Sequence, residues 1–327
     1  MRSLLLPVTL CSAAPYSVTA GVARISPIHP SAHSCNARTP EVMTRFDGNG
    51  EPGGNIDSAV VDGFGDEWTR MDQGVLTGRE YDEAFESYFH IFPWRLLARN
   101  AVGFDLGCGS GRWARGVAPR VGALHCIDAS PAALEVARRN LKGVQGVRFH
   151  LASVDSIPLL DASMDFGYCL GVLHHVPDTR LGLRCAVSKL RQGAPLLVYL
   201  YYAFDNQPTW FRLLHEVSNG GRLLISRAPH GIRYAASQAI AALVYWPLAR
   251  LARIAERFSA DVHSFPLSYY RKRRFYSMRT DALDRFGTRL EKRFTQTEVR
   301  EMMEEAGLTD IVFSDRAPFW CAVGIRQ

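Results

Sequence analysis

Asp105, Gly107, Gly109 and Gly111 stand at alternate positions behind an apolar run, and Asp128 closes the next apolar run nineteen residues or so downstream. Glycines after a strand let backbone amides approach a ligand closely or adopt positive φ, and a following helix N-terminus favours negative charge. A carboxylate at the end of the second strand is the usual holder of ribose hydroxyls. The pair His174-His175 follows the fourth such run. Imidazole titrates near neutrality, so either ring could serve as a general base if it reaches a substrate proton. Adjacent histidines do not easily chelate one ion, and no metal-ligand spacing is visible, so no metal is expected. A dinucleotide is disfavoured: counted from Gly107, G-x-G-x-x-G needs glycine where Arg112 stands, although counting from Gly109 brings the permitted Ala114 to the last position.

Short apolar strands must carry these residues. They are expected over 101–107, 122–128, 147–153, 164–171 and 195–202, alternating with helical segments over 111–118, 131–141 and 178–190. Ser130-Pro131 reads as an N-cap followed by proline at the first helical position. Alternation of strand and helix requires right-handed crossovers and a doubly wound α/β sheet, with ligands at the carboxyl ends of the strands. The pattern resumes near the end: Thr295-x-x-Glu298 is a capping box for a helix stopping at Gly307, and strands follow over 310–314 and 319–325.

The segment from Asp105 to Gly111, with Asp128, resembles the cofactor site of the class I S-adenosylmethionine (SAM)-dependent methyltransferases, whose first motif reads acid-x-Gly-x-Gly-x-Gly. The resemblance implies a Rossmann-like, seven-stranded, mostly parallel sheet with the last strand antiparallel and a helical insertion after the fifth. It also implies the cofactor, S-adenosyl-L-methionine. Gly107, Gly109 and Gly111 would surround its methionine end, Asp105 would receive the ammonium, and Asp128 the ribose. Ser153, Val154 and Leu170 complete the implied cofactor set, with Ser153 where many members have Asp and Asp155 two residues later. The histidine pair resembles a feature common in small-molecule members, and makes His174 and His175 the catalytic candidates. The asparagine-proline signature of DNA and glutamine N-methyltransferases is absent. Phe64-Gly65-Asp66-Glu67-Trp68 resembles a lead-in of a subset of bacterial methyltransferases and could form a lid, or simply one apolar helix face.

The expected organisation is therefore an N-terminal segment 1–55, a lid region 56–100, a SAM-binding core 101–205, a helical substrate-covering insertion 206–293, and completion of the core over 294–327. Residues 1–40 hold three arginines and six serines but no Asp, Glu or Lys. That composition fits an organellar transit peptide, disorder, or a true start at Met43. The insertion contains the uncharged stretch 234–249, too short to span a bilayer, then arginines at 250, 253 and 257 on one helix face. Twelve Lys or Arg against five Asp or Glu over 248–293 carry the formal charge of +6, and the remainder of the chain is close to neutral. Such a basic face suits an anionic substrate or membrane, or is a solvated helix side. Together with aromatic residues it suggests a small-molecule, glycan or lipid-like acceptor and peripheral contact with an anionic membrane. The alternatives are an RNA or protein methyltransferase, for which no RNA-binding module is recognisable, and a non-catalytic SAM-binding partner protein. Seven cysteines without C-x-x-C spacing point to reduced thiols and a cytoplasmic compartment.

Overall fold

The computed structural model describes residues 54–205, 208–259, 261–262 and 265–327. The expectations of targeting, disorder or a start at Met43 fall outside the described residues. Strands β1 (Val102–Leu106), β2 (Ala123–Asp128), β3 (Val147–Leu151), β4 (Phe166–Leu170), β5 (Pro195–Tyr199), β6 (Leu308–Phe313) and β7 (Cys321–Arg326) form one sheet in the order β3-β2-β1-β4-β5-β7-β6. All neighbouring pairs are parallel except those of β7, which runs antiparallel to β5 and β6. This is the expected Rossmann-like sheet with its last strand reversed. The order turns back between β1 and β4, so a crevice opens at their carboxyl ends.

Helices cover both faces. On one side α2 (Arg79–Phe89), α3 (Ala114–Val117) and α4 (Pro131–Asn140) bury Phe85, Phe89, Val117 and Leu134 against the sheet. On the other, α5 (Thr179–Lys189) and α10 (Gln296–Glu305) bury Leu183, Val187, Val299 and Met302. Ser130 caps α4 by accepting from the Ala133 amide at 3.3 Å. The Thr295–Glu298 capping box opens α10. The helix predicted over 111–118 is shorter than expected. Only Ala114–Val117 is α-helical, because Gly111 takes positive φ and Pro119 turns the exit into a 3-10 turn.

The insertion after β5 is helical: α6 (Thr209–Ile225), α7 (His230–Ile240), a π-helical turn over Ala241–Tyr245, α8 (Trp246–Arg257) and α9 (Phe275–Gly287). Pro247 lacks the N–H that would continue the ladder, and the widened turn lies just ahead of it. Two buried arginines tie these helices to the exit of α9. Arg222 donates to the carbonyls of Thr288 at 2.9 Å and Arg289 at 3.3 Å, and Arg233 to that of Gly287 at 2.8 Å. These cations satisfy helix-terminal carbonyls that would otherwise lack partners.

Residues 58–70 form α1 (Ser58–Arg70), capped by Asp57 accepting from the Val60 amide. It packs on α4 and α9. Gly65 permits the first contact, since a Cβ there would lie 2.7 Å from the Ser130 hydroxyl. Asn55 fixes the lead-in: its amide donates to Asp155 and its side chain bonds both backbone groups of Asp178, each at 2.6 Å. The helix thus lies across the crevice at the carboxyl edge.

Candidate functional site

The glycine loop leaves β1 with φ of 76° at Gly107, 53° at Gly109 and 74° at Gly111, a region that costs any side chain with a Cβ. Asp128 at the end of β2 holds the loop: Oδ2 accepts from the Gly109 amide and Oδ1 from the Ser130 amide, both at 2.8 Å. Each oxygen keeps a lone pair for a further donor, such as a ribose hydroxyl. Burial pushes the Asp128 carboxyl above its usual range, against the pull of those amides.

Asp105 is buried, and its Oδ2 has no partner among the described residues. Burial pushes its pKa up to about 8, and the neighbouring Tyr168 hydroxyl offsets only part of this. An unpartnered buried carboxylate at the switch point is a receptor for a cation. A ligand ammonium would supply the missing charge, so this atom fits the amino-acid end of SAM. Ser153 is less available. Its hydroxyl meets Asp155 in a short hydrogen bond and Ser156 at 2.8 Å. Against partial burial, the Asn55 amide and Ser153 hydroxyl hold Asp155 below the usual carboxylate range. Val154 and Leu170 are buried.

Beside this edge lies a cavity of about 1100 Å³. Trp68 separates the two: a Cβ on Gly109 would lie 2.9 Å from the indole Nε1, and the same ring lines the cavity. Leu170 is the one expected cofactor residue in its wall. Tyr88, Tyr199, Tyr201, Tyr269 and Tyr270 supply aromatic surface, and Asp281 and Asp284, one turn apart on α9, supply carboxylates. Tyr270 donates to Asp281 Oδ2 at 2.7 Å, and Tyr201 donates to Asp284 Oδ2. Burial raises both acids, Asp281 to about 6. Asp284 Oδ1 has no hydrogen-bond partner.

Neither expected catalytic histidine lines this cavity. The 3-10 turn Leu173–His175 turns both rings into the protein, where they are buried. His174 stacks on Tyr201 at 3.8 Å and accepts from the Tyr201 amide at 3.3 Å; burial drives its pKa well down. His175 donates from Nδ1 to the Leu290 carbonyl at 2.7 Å, which leaves a lone pair on Nε2 in the neutral ring. That nitrogen lies 3.9 Å from Asp284 Oδ1, and burial lowers the His175 pKa despite the nearby carboxylates. The pair meets the cavity only indirectly, through the wall residues Tyr201, Phe64 and Asp284.

The basic run after Tyr270 is also spent internally. Arg271 and Lys272 both bond Glu256, Arg273 lies 4.3 Å over the Tyr269 ring, and Arg274 pairs with Glu80. Sequence reasoning missed Asp281, Asp284 and Tyr201 as wall residues. Their one local signal was the i,i+3 spacing of the two acids, which places both on one helix side.

Residues 104–198 match the family pattern described as a methyltransferase domain. The uncharacterised methyltransferase YcgJ of Bacillus subtilis (strain 168) is 34% identical over 101 residues, covering 30% of this chain and 40% of that protein. The ubiquinone biosynthesis O-methyltransferase of Azoarcus sp. (strain BH72) is 32% identical over 152 residues, covering 42% and 60%. The chain thus spans about half the length of these curated relatives. Among solved structures, phosphoethanolamine N-methyltransferase 2 of Haemonchus contortus is 14% identical, covering 79% of this chain and 44% of that one, with a TM-score of 0.45.

Proposed function

The chain belongs, through its methyltransferase domain, to the class I SAM-dependent methyltransferases, and from that premise we propose that it methylates a small amphiphilic molecule held in the cavity beside the glycine loop. The observation that carries the reading is the unpartnered, buried carboxylate of Asp105 next to the Asp128-braced loop. Asp105 binds the ammonium of the cofactor, the amides of Gly107, Gly109 and Gly111 its carboxylate end, and Asp128 the ribose. Ser153, Val154 and Leu170 flank the adenosine. Trp68 and α1 act as a lid that shifts to admit the cofactor, and residues 206–293 cover the acceptor.

Bound SAM supplies a methyl group activated by its sulfonium. The chain's own task is to align the acceptor in line and remove its proton when the nucleophile is a hydroxyl. Asp284 is placed for that proton, because its carboxyl belongs to the cavity wall, and its Oδ1, buried toward His175, has no hydrogen-bond partner among the described residues. Tyr201 and His175 are positioning residues that fix the carboxylate from behind.

Titration of the purified chain with SAM and S-adenosylhomocysteine, alongside Asp128→Ala, tests the cofactor. Micromolar binding that weakens at least tenfold in the variant is expected. A well-folded protein that binds neither ligand refutes the proposal. Incubation with methyl-labelled SAM and phenolic, amine and carboxylate amphiphiles tests the acceptor class, and label transferred only to RNA or protein would refute it.

A further inference from the structure

The insertion helices carry a large apolar surface on their outer side. On α6, Trp210, Leu213, Val217 (70% exposed) and Leu224 (77%) recur at helical spacing and form one exposed stripe. Leu243 (77%), Leu251, Ile254 and Phe258 (81%) form a second stripe on the π-helical turn and α8. Monomeric proteins rarely leave contiguous apolar patches above a few hundred Å² in water. Two further observations say what covers this one. Leu214 and Val244 belong both to the exposed apolar surface and to the cavity wall, so the cavity opens into it. The exposed cations of α6 and α8 are Arg212, Arg253 and Arg257, against the exposed acid Glu216 on the same two helices. An apolar surface rimmed by arginines matches the boundary of an anionic bilayer, with apolar side chains among acyl chains and guanidiniums at the phosphates. No described helix is long and apolar enough to cross a membrane, which leaves a peripheral mode.

We propose that α6, the π-helical turn and α8 form a docking surface for anionic phospholipid bilayers, and that the acceptor's apolar portion enters the cavity between Leu214 and Val244 directly from the lipid. The docking surface stands independently of methyl transfer; the entry route rests on the functional reading above. The arginines that serve it are those of α8 and α6, whereas the 271–274 run is held by Glu256, Tyr269 and Glu80.

The test is co-sedimentation of the full chain with phosphatidylcholine vesicles, with and without phosphatidylglycerol, at low and physiological salt. Anionic vesicles should bind the protein, with salt weakening but not abolishing the interaction. Leu213→Asp with Val217→Asp should lower partitioning at least tenfold, since each removes an apolar side chain that the bilayer would bury. Arg253→Glu with Arg257→Glu should lower it about fivefold per arginine on anionic vesicles and leave neutral ones unaffected. None of these residues lines the cavity, so unchanged SAM affinity and circular dichroism report intact folding. Absence of vesicle binding by the folded wild type overturns the proposal. So does binding that all four substitutions leave unchanged. A dimer seen by light scattering that Val217→Asp dissociates would assign the face to a second copy instead. SAM titration is read separately, so failure of the cofactor reading and failure of lipid docking are distinguishable.

Discussion

Replacing Asp105 by Asn removes the charge of the buried carboxyl while keeping its shape. In the free protein, burial holds the Asp105 pKa at about 8, so at pH 7 roughly nine molecules in ten carry the proton. An arriving ammonium favours the carboxylate, so the proton must leave. SAM binding at pH 7 should therefore release about 0.9 proton per site. Calorimetry in buffers of different ionisation enthalpy reads this directly: the apparent binding enthalpy should vary linearly with that of the buffer. In Asp105→Asn the slope should vanish. The variant also loses a charge-assisted hydrogen bond, about 1.5–3 kcal/mol, so affinity should fall about tenfold to 150-fold.

The same substitution has an opposite effect on stability. The folded pKa of Asp105 is raised, so the native chain keeps a proton that the unfolded chain gives up near pH 4. Between those values the unfolded state binds fewer protons, and unfolding free energy falls as pH rises. The group's contribution is complete below pH ~4 and is lost as pH passes through about 8. Asp105→Asn removes that slope, so its thermal midpoint should exceed that of the wild type above pH 8 while its SAM affinity is lower. Tight SAM binding by Asp105→Asn, or a wild-type enthalpy independent of buffer, would refute the assignment of Asp105 to the ammonium.

Gly109→Ala forces a Cβ into positive φ and against the Trp68 indole, which should cost about 1–2 kcal/mol and weaken SAM binding about tenfold in the same calorimetric assay. Asp284→Asn should lower kcat about 10²–10⁴-fold with little change in KM, measured on whichever acceptor takes label. His175→Asn should lower it less and move the acidic limb of the pH–rate profile upward, because on the acidic side a protonated imidazole 3.9 Å from Oδ1 favours the ionised form of Asp284. An unmoved limb would give His175 a purely structural role. Arg222→Ala leaves the Thr288 and Arg289 carbonyls unsatisfied, a loss of about 2–3 kcal/mol. The thermal midpoint should fall by about 5–10 °C with SAM affinity retained.

The cofactor half of the site was legible because its determinants are local. A strand, a glycine loop and the acid ending the next strand lie within one stretch, and parallel pairing of β1 with β2 brings Asp128 to the Gly109 amide. The acceptor half is built by long-range closure. Its walls come from α1, α2, the ends of β4 and β5, and the whole insertion, which no periodicity relates to one another. The histidine pair shows where local chemistry misleads. Its residue types suit proton transfer, but the 3-10 turn after β4 directs both rings behind the wall, and the cavity-lining carboxylate in front of them, Asp284, arrives from α9. The basic run 271–274 misleads in the same way, because Glu80 lies far upstream and Glu256 on another helix, and neither is visible as a partner in the chain. Counting charge in a segment therefore says little about which charges face outward. The apolar spacing of α6 and α8 says more: a helix whose apolar side is not consumed by its own fold must be consumed by something else. Here the consumed side packs Ala241, Tyr245 and Ala249 on α9, and the remaining apolar surface meets the cavity at Leu214 and Val244, the side from which we propose that the acceptor arrives.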